Sequence, residues 1–109
     1  MESERLTQIA RALTDENRVQ IIRMLAEGEK CACDLLAQLE IGQPTLSHHM
    51  KLLNESGLVK TRRSAKWSYY SLDAKAWDAF REEIEQFCAK AALETVRNCE
   101  CDCEGGCGQ

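Results

Sequence analysis

The sequence predicts a mainly α fold with one small β-hairpin, and three observations carry that prediction. Apolar residues recur at helical spacing through most of the chain. One stretch, Leu58 to Leu72, is instead rich in Val, Thr, Trp and Tyr. Just before it, two short helical patterns are joined by a turn containing glycine. The 109 residues suit one domain, and a hydrophobic content of 44% is ordinary for a globular fold.

A first helix is expected over Glu4 to Leu13, where Leu6, Ile9, Ala10 and Leu13 share a face. Thr14 follows as the expected N-cap of a second helix. Asp15 and Glu16 stand in its first turn, where the helix dipole favours acids. Val19, Ile22, Leu25 and Ala26 give that helix an apolar face, and Gly28 is its expected stop. Cys31-Ala32-Cys33 reads as extended chain. Asp34 then opens a short helix with Leu35, Leu36 and Leu39.

Ile41-Gly42 breaks that helix, and Gln43-Pro44 opens another, since proline is tolerated in a first turn. Leu46, His49, Met50 and Leu53 fall at i, i+3, i+4 and i+7, so they form its inner stripe. The two helices make a helix-turn-helix. Leu58 to Arg63 and Trp67 to Leu72 read as two strands, joined at Ser64-Ala65 without the glycine such a turn favours. From Ala74 the chain returns to helix, with Trp77, Phe80, Ile84, Phe87, Cys88 and Ala91 on one face. Residues 1–97 thus form one winged helix-turn-helix unit. Residues 98–109, rich in Gly, Cys and acids, form a tail with no core-forming residues.

A chain this small cannot bury the apolar faces of both its first and last helices, so a homodimer is expected. The chain lacks the roughly 20-residue apolar run of a membrane helix. It also shows no basic-then-apolar leader, so a cytoplasmic location is expected. Seven cysteines without an export signal point to reduced thiols that bind something rather than to disulfides.

The net charge of −4 argues against a nucleic-acid partner until its distribution is read. Between Gln43 and Lys66 stand five basic residues and one acid, while the rest of the chain is strongly acidic. Concentrated basic charge suits a phosphate-contacting surface. With the inner stripe buried, Thr45, His48 and Lys51 point away from the core, and Gln43 and Ser47 flank the helix start. Gln, Thr and Ser read base edges; Lys and Arg contact phosphate or guanine. Arg62, Arg63 and Lys66 add a cationic hairpin. His49, on the inner stripe, is expected to be a satisfied, partly buried histidine. An enzyme is not expected, for no nucleophile–base pair, phosphate loop or carboxylate pair is present.

The runs Ala12-Leu-Thr-Asp-Glu-Asn-Arg18 and Ile21-Ile-Arg-Met-Leu25 resemble the second helix of ArsR/SmtB-type repressors. The run from Gln43 to Leu53, followed by Glu55-Ser-Gly-Leu-Val59, is similar to their recognition helix and the start of their wing. The resemblance spans about residues 5 to 95. It implies a dimeric repressor that binds operator DNA until an inducer arrives. Cys31-Ala32-Cys33-Asp34-Leu35 resembles the Cys-x-Cys-Asp-Leu motif of the arsenic-sensing branch. Some members carry a third cysteine where this chain has Leu36. The His ligands that zinc sensors of the family place on the last helix are absent, and Cys88 is expected to pack.

The spacing of Cys31 and Cys33 has a chemical meaning. Residues i and i+2 point the same way in extended chain but lie about 200° apart in a helix. Binding one ion through both thiols therefore demands a non-helical turn. Soft thiolates select soft ions. As(III) or Sb(III) fits the resemblance, and cadmium, lead, zinc, mercury, copper(I) or an oxidant remain alternatives, as does a metal storage or delivery protein. No cofactor is needed for folding. Cys99, Cys101, Cys103 and Cys107 are candidate further ligands, in this chain or its partner.

Overall fold

A computed structural model of the chain describes residues 1–95, with the side chains of 94 and 95 left aside. The cysteine-rich tail, its four candidate ligands and the boundary at 97/98 lie outside the described residues. The element order is α1 (Ser3–Ala12), α2 (Glu16–Leu25), β1 (Lys30–Cys31), α3 (Ala32–Gln38), α4 (Gln43–Ser56), β2 (Val59–Ser64), β3 (Trp67–Leu72) and α5 (Ala74–Thr95). Among the described residues no helix is long and apolar enough to cross a membrane.

The mainly α architecture with a β-hairpin is as expected, and the hairpin gains a third strand. The sheet is antiparallel in the order β1-β3-β2. Its extra strand is Lys30–Cys31, paired with Tyr70 and Tyr69. The expected extended run therefore stops at Cys31: Ala32 and Cys33 already belong to α3. Helix start and strand end meet at one residue, because Cys31 has extended backbone and serves as the N-cap of α3.

Two caps also differ from expectation. Asp15, not Thr14, caps α2, its Oδ1 accepting from the Asn17 N–H at 2.8 Å. A carboxylate there also meets the positive end of the helix dipole. The Thr14 hydroxyl turns back instead and donates to the Arg11 carbonyl at 2.7 Å, satisfying an end group of α1. On α1 the buried positions are Ile9 and Ala12, while Ala10 faces outward.

The core lies where α1, α2, α3 and α4 converge on the base of the sheet. Ile9, Ile21, Leu35, Leu46, Leu53 and Leu58 are almost wholly buried there. Gly57 ends α4 in the left-handed region, at φ 85°, where a side chain is disfavoured. Arg5 of α1 ties down this end by donating to the Ser56 carbonyl at 3.1 Å. Only the first turns of α5 reach the core: Ala76, Trp77 and Phe80 pack against it. The Trp77 indole donates to the Leu58 carbonyl at 3.0 Å. Ile84 and Phe87, further along α5, stay 41% and 49% exposed, so the described residues do not cover this face. Cys88, expected to pack, is exposed as well, because α5 has already left the core at that point.

Candidate nucleic-acid interface and thiol pair

α3 and α4 form the helix-turn-helix, joined across residues 39–42. The inner stripe is as expected: Leu46, His49, Met50 and Leu53 are all buried. That burial turns Gln43, Thr45, Ser47, His48 and Lys51 to the surface, and all five are exposed. Gly42 caps α4 without a side-chain hydrogen bond, and Pro44 supplies no N–H in the first turn. The remaining free N–H groups of that turn can face an anion.

The recognition helix is held from below by a polar contact that sequence reading missed. Arg18 of α2 is 7% exposed, and its Nη1 lies 3.0 Å from His49 Nδ1. Its Nε donates to the Ala12 carbonyl at 2.9 Å, and Nη2 to the Arg11 carbonyl at 3.4 Å. A guanidinium only donates, so His49 Nδ1 accepts and the imidazole proton sits on Nε2. His49 is thus only half satisfied. Its buried Nε2 has no hydrogen-bond partner, and Asp15 Oδ1 is 3.9 Å away. Burial pushes the His49 imidazole below its ordinary value; Asp15 opposes that shift, and Arg18 and His48 reinforce it. The signal was present in the sequence: Arg18 lies three and seven residues before Ile21 and Leu25, on the stripe those residues bury.

The wing is β2, β3 and the Ala65-Lys66 turn between them. Ala65 takes φ 55°, supplying the positive φ that glycine usually provides. The three expected cations divide. All three are exposed, but Arg62 points to the opposite sheet face from Arg63 and is engaged within the chain. Its Nη2 and Nε donate to Glu29 Oε1 and Oε2 at 2.8 and 3.2 Å. Its guanidinium also lies 4.5 Å from the centre of the Tyr69 ring. The hydrogen bond from Arg62 holds the Glu29 carboxyl below the usual range. On the other face, Thr61 donates to Asn54 Oδ1 at 3.0 Å, linking the wing to the end of α4.

Cys31 is half-buried and Cys33 exposed. Both the backbone N–H and the thiol of Cys31 donate to Asp34 Oδ2, at 3.2 and 3.3 Å. These two bonds, the thiol's first, hold the Asp34 carboxyl below its ordinary value. Cys33 stands in the first turn of α3, so the two thiols do not share one extended segment. Among the described residues, no three His, Cys, Asp or Glu side chains are grouped to hold a metal ion.

The family model described as bacterial regulatory protein, arsR family, matches residues 15–61, from the cap of α2 into the wing. The arsenical resistance operon repressor of Staphylococcus xylosus is 39% identical over 85 residues, covering 78% of this chain and 82% of that protein. The arsenical resistance operon repressor of Escherichia coli K12 is 38% identical over 109 positions, covering 92% of this chain and 93% of that protein. Among solved structures, the ArsR family transcriptional regulator RHA00566 superposes with a TM-score of 0.77, covering 90% of this chain and 98% of that one. At 19% identity, that superposition speaks for the fold alone.

Proposed function

Because this chain belongs to the ArsR family of bacterial regulatory proteins, we propose that it is a homodimeric repressor that leaves its operator when As(III) or Sb(III) binds Cys31 and Cys33. It is a transcriptional repressor rather than an enzyme. The observation that carries the inducer reading is the place of the thiols. They flank the first residue of α3, which with α4 forms the helix-turn-helix. A two-thiol donor set suits a trivalent thiophile, and the names of two relatives point to arsenicals.

On this reading Gln43, Thr45, Ser47, His48 and Lys51 face the major groove, while Arg63 and Lys66 contact phosphate from the wing. Arg62, the third expected wing contact, is paired with Glu29 in the free chain. The exposed Ile84 and Phe87 face of α5 meets its counterpart in the second subunit, with Cys88 beside it.

Cys31 and Cys33 would hold the inducer. Cys31 is extended and Cys33 helical, and on this reading drawing both thiols to one ion opens the first turn of α3. Cys99, Cys101, Cys103 and Cys107 are the candidate sources of a third thiol, with solvent or an added thiol as the alternative.

The experiment is a DNA-bound sample titrated with arsenite, antimonite, cadmium, lead and zinc. The double change Cys31→Ala with Cys33→Ala should keep DNA binding and lose release by arsenite. Truncation before Cys99 separates the sources of the third thiol. Release that survives the double change and disappears on truncation would move the sensor to the tail.

A further inference from the structure

We propose that Glu29, Arg62 and Tyr69 form a latch that couples the thiol pair to the wing, with Arg62 a positioning residue rather than a phosphate contact. The proposal rests on the reading of Cys31 and Cys33 as the inducer site, and concerns how that site speaks to DNA.

The argument starts from register. Tyr69 of β3 is opposite Cys31 of β1 on one side and opposite Arg62 of β2 on the other. Residues directly opposed across an antiparallel pair share a face, with Cβ atoms about 5 Å apart. Cys31, Tyr69 and Arg62 therefore stand in one row across the sheet, from the thiol to the wing. Glu29, two residues before Cys31, closes the row from outside with two hydrogen bonds to the Arg62 guanidinium. The guanidinium rests on the Tyr69 ring. A forked Arg–carboxylate contact fixes orientation as well as distance.

β1 has no slack to absorb a change at Cys31. It is two residues long, it follows within two residues of Gly28, and its last residue is also the N-cap of α3. An ion that draws Cys31 and Cys33 together must turn Cys31 relative to α3. The same movement disturbs its pairing with Tyr69 and the reach of Glu29. Arg62 sits between Thr61, which is bonded to α4, and the exposed Arg63. A shift at Arg62 thus re-aims the wing relative to the recognition helix. Glu29–Arg62 is an exposed pair and adds little to stability. Its consequence is read in coupling.

The test measures affinity for a fluorescent duplex selected by the wild-type protein, with and without arsenite. Arsenite occupancy is followed separately by thiolate-to-arsenic ultraviolet absorption. In the wild type, arsenite should weaken DNA binding by roughly 5- to 150-fold, the ordinary span of allosteric coupling. Glu29→Gln and Arg62→Gln should each cut that ratio to about threefold or less while arsenite still binds. The exchange Glu29→Arg with Arg62→Glu should restore the ratio, although position 62 then carries no cation. Arg63→Gln should lower DNA affinity and keep the ratio.

An unchanged ratio in Glu29→Gln and Arg62→Gln overturns the latch. So does a charge exchange that fails to restore it. If Arg62→Gln lowers affinity and the salt slope by about one contact with the ratio intact, Arg62 is a phosphate contact. If arsenite leaves wild-type DNA binding unchanged, or still releases the Cys31→Ala, Cys33→Ala protein, the inducer reading fails and the latch falls with it. That outcome appears before any latch variant is made.

Discussion

Replacing Arg18 with methionine tests whether the recognition helix rests on a buried polar contact. Methionine keeps much of the length and removes the guanidinium. Three contacts go with it: one to His49 Nδ1 at 3.0 Å, one to the Ala12 carbonyl at 2.9 Å and a longer one to the Arg11 carbonyl at 3.4 Å. Hydrogen bonds to a charged group contribute about 1.5–3 kcal/mol each. The two short ones then give a loss of about 3–6 kcal/mol. His49 would be left with neither ring nitrogen partnered, since Nε2 has no partner already. Adding His49→Leu should recover part of the loss, because two matched apolar groups leave fewer stranded polar atoms. Urea unfolding of these two variants and of His49→Leu alone is measured at one fixed protein concentration, which the proposed dimer requires. A loss below about 1 kcal/mol in Arg18→Met, or strictly additive effects in the double variant, would refute the reasoning.

Three further outcomes follow from the same contacts. Burial lowers the His49 imidazole in the folded chain. The stability it contributes is therefore whole above the unfolded value of about 6.5 and is lost as pH falls through the lower folded value; the wild-type urea midpoint should drop across that window, and His49→Gln should flatten it. Gly57→Ala places a Cβ at φ 85° and 3.1 Å from Arg5 Nη1, so thermal unfolding should show a loss of about 1 kcal/mol or more. Asp34→Ala removes the acceptor for the Cys31 thiol and N–H and so weakens the start of α3. If the inducer works by opening that start, as proposed, the same change should lower the arsenite concentration for half-release by up to about fivefold.

Most of the fold was legible because its signals are periodic and local. The stripe Leu46, His49, Met50, Leu53 is read directly from 3.6-residue spacing, and the structure buries all four. What spacing cannot show is pairing between distant residues. His49 meets Arg18 31 positions away, and Arg62 meets Glu29 33 positions away. Clustering in sequence placed Arg62, Arg63 and Lys66 on one cationic wing. Strand alternation put Arg62 on the other face, beside an acid that a charge count between Gln43 and Lys66 left out.

The same limit explains the thiol pair. An extended Cys31-Ala32-Cys33 reads well as isolated chain, but Asp34 accepts from the N–H of Cys31 and starts the helix at Ala32. This makes the chemistry more demanding. In a fully extended segment the two thiols would already converge, and an ion could bind without disturbing the helix-turn-helix. With Cys33 inside the first turn and Cys31 bonded to Asp34 just outside it, drawing both thiols to one ion would act against the start of α3. A ligand shifts an equilibrium only by its preference for one state. Placing one thiol on each side of the helix start creates that preference. On the proposed reading, the ion's affinity for two sulfurs would act against the Asp34 contacts, the Cys31–Tyr69 pairing and the helix that carries them.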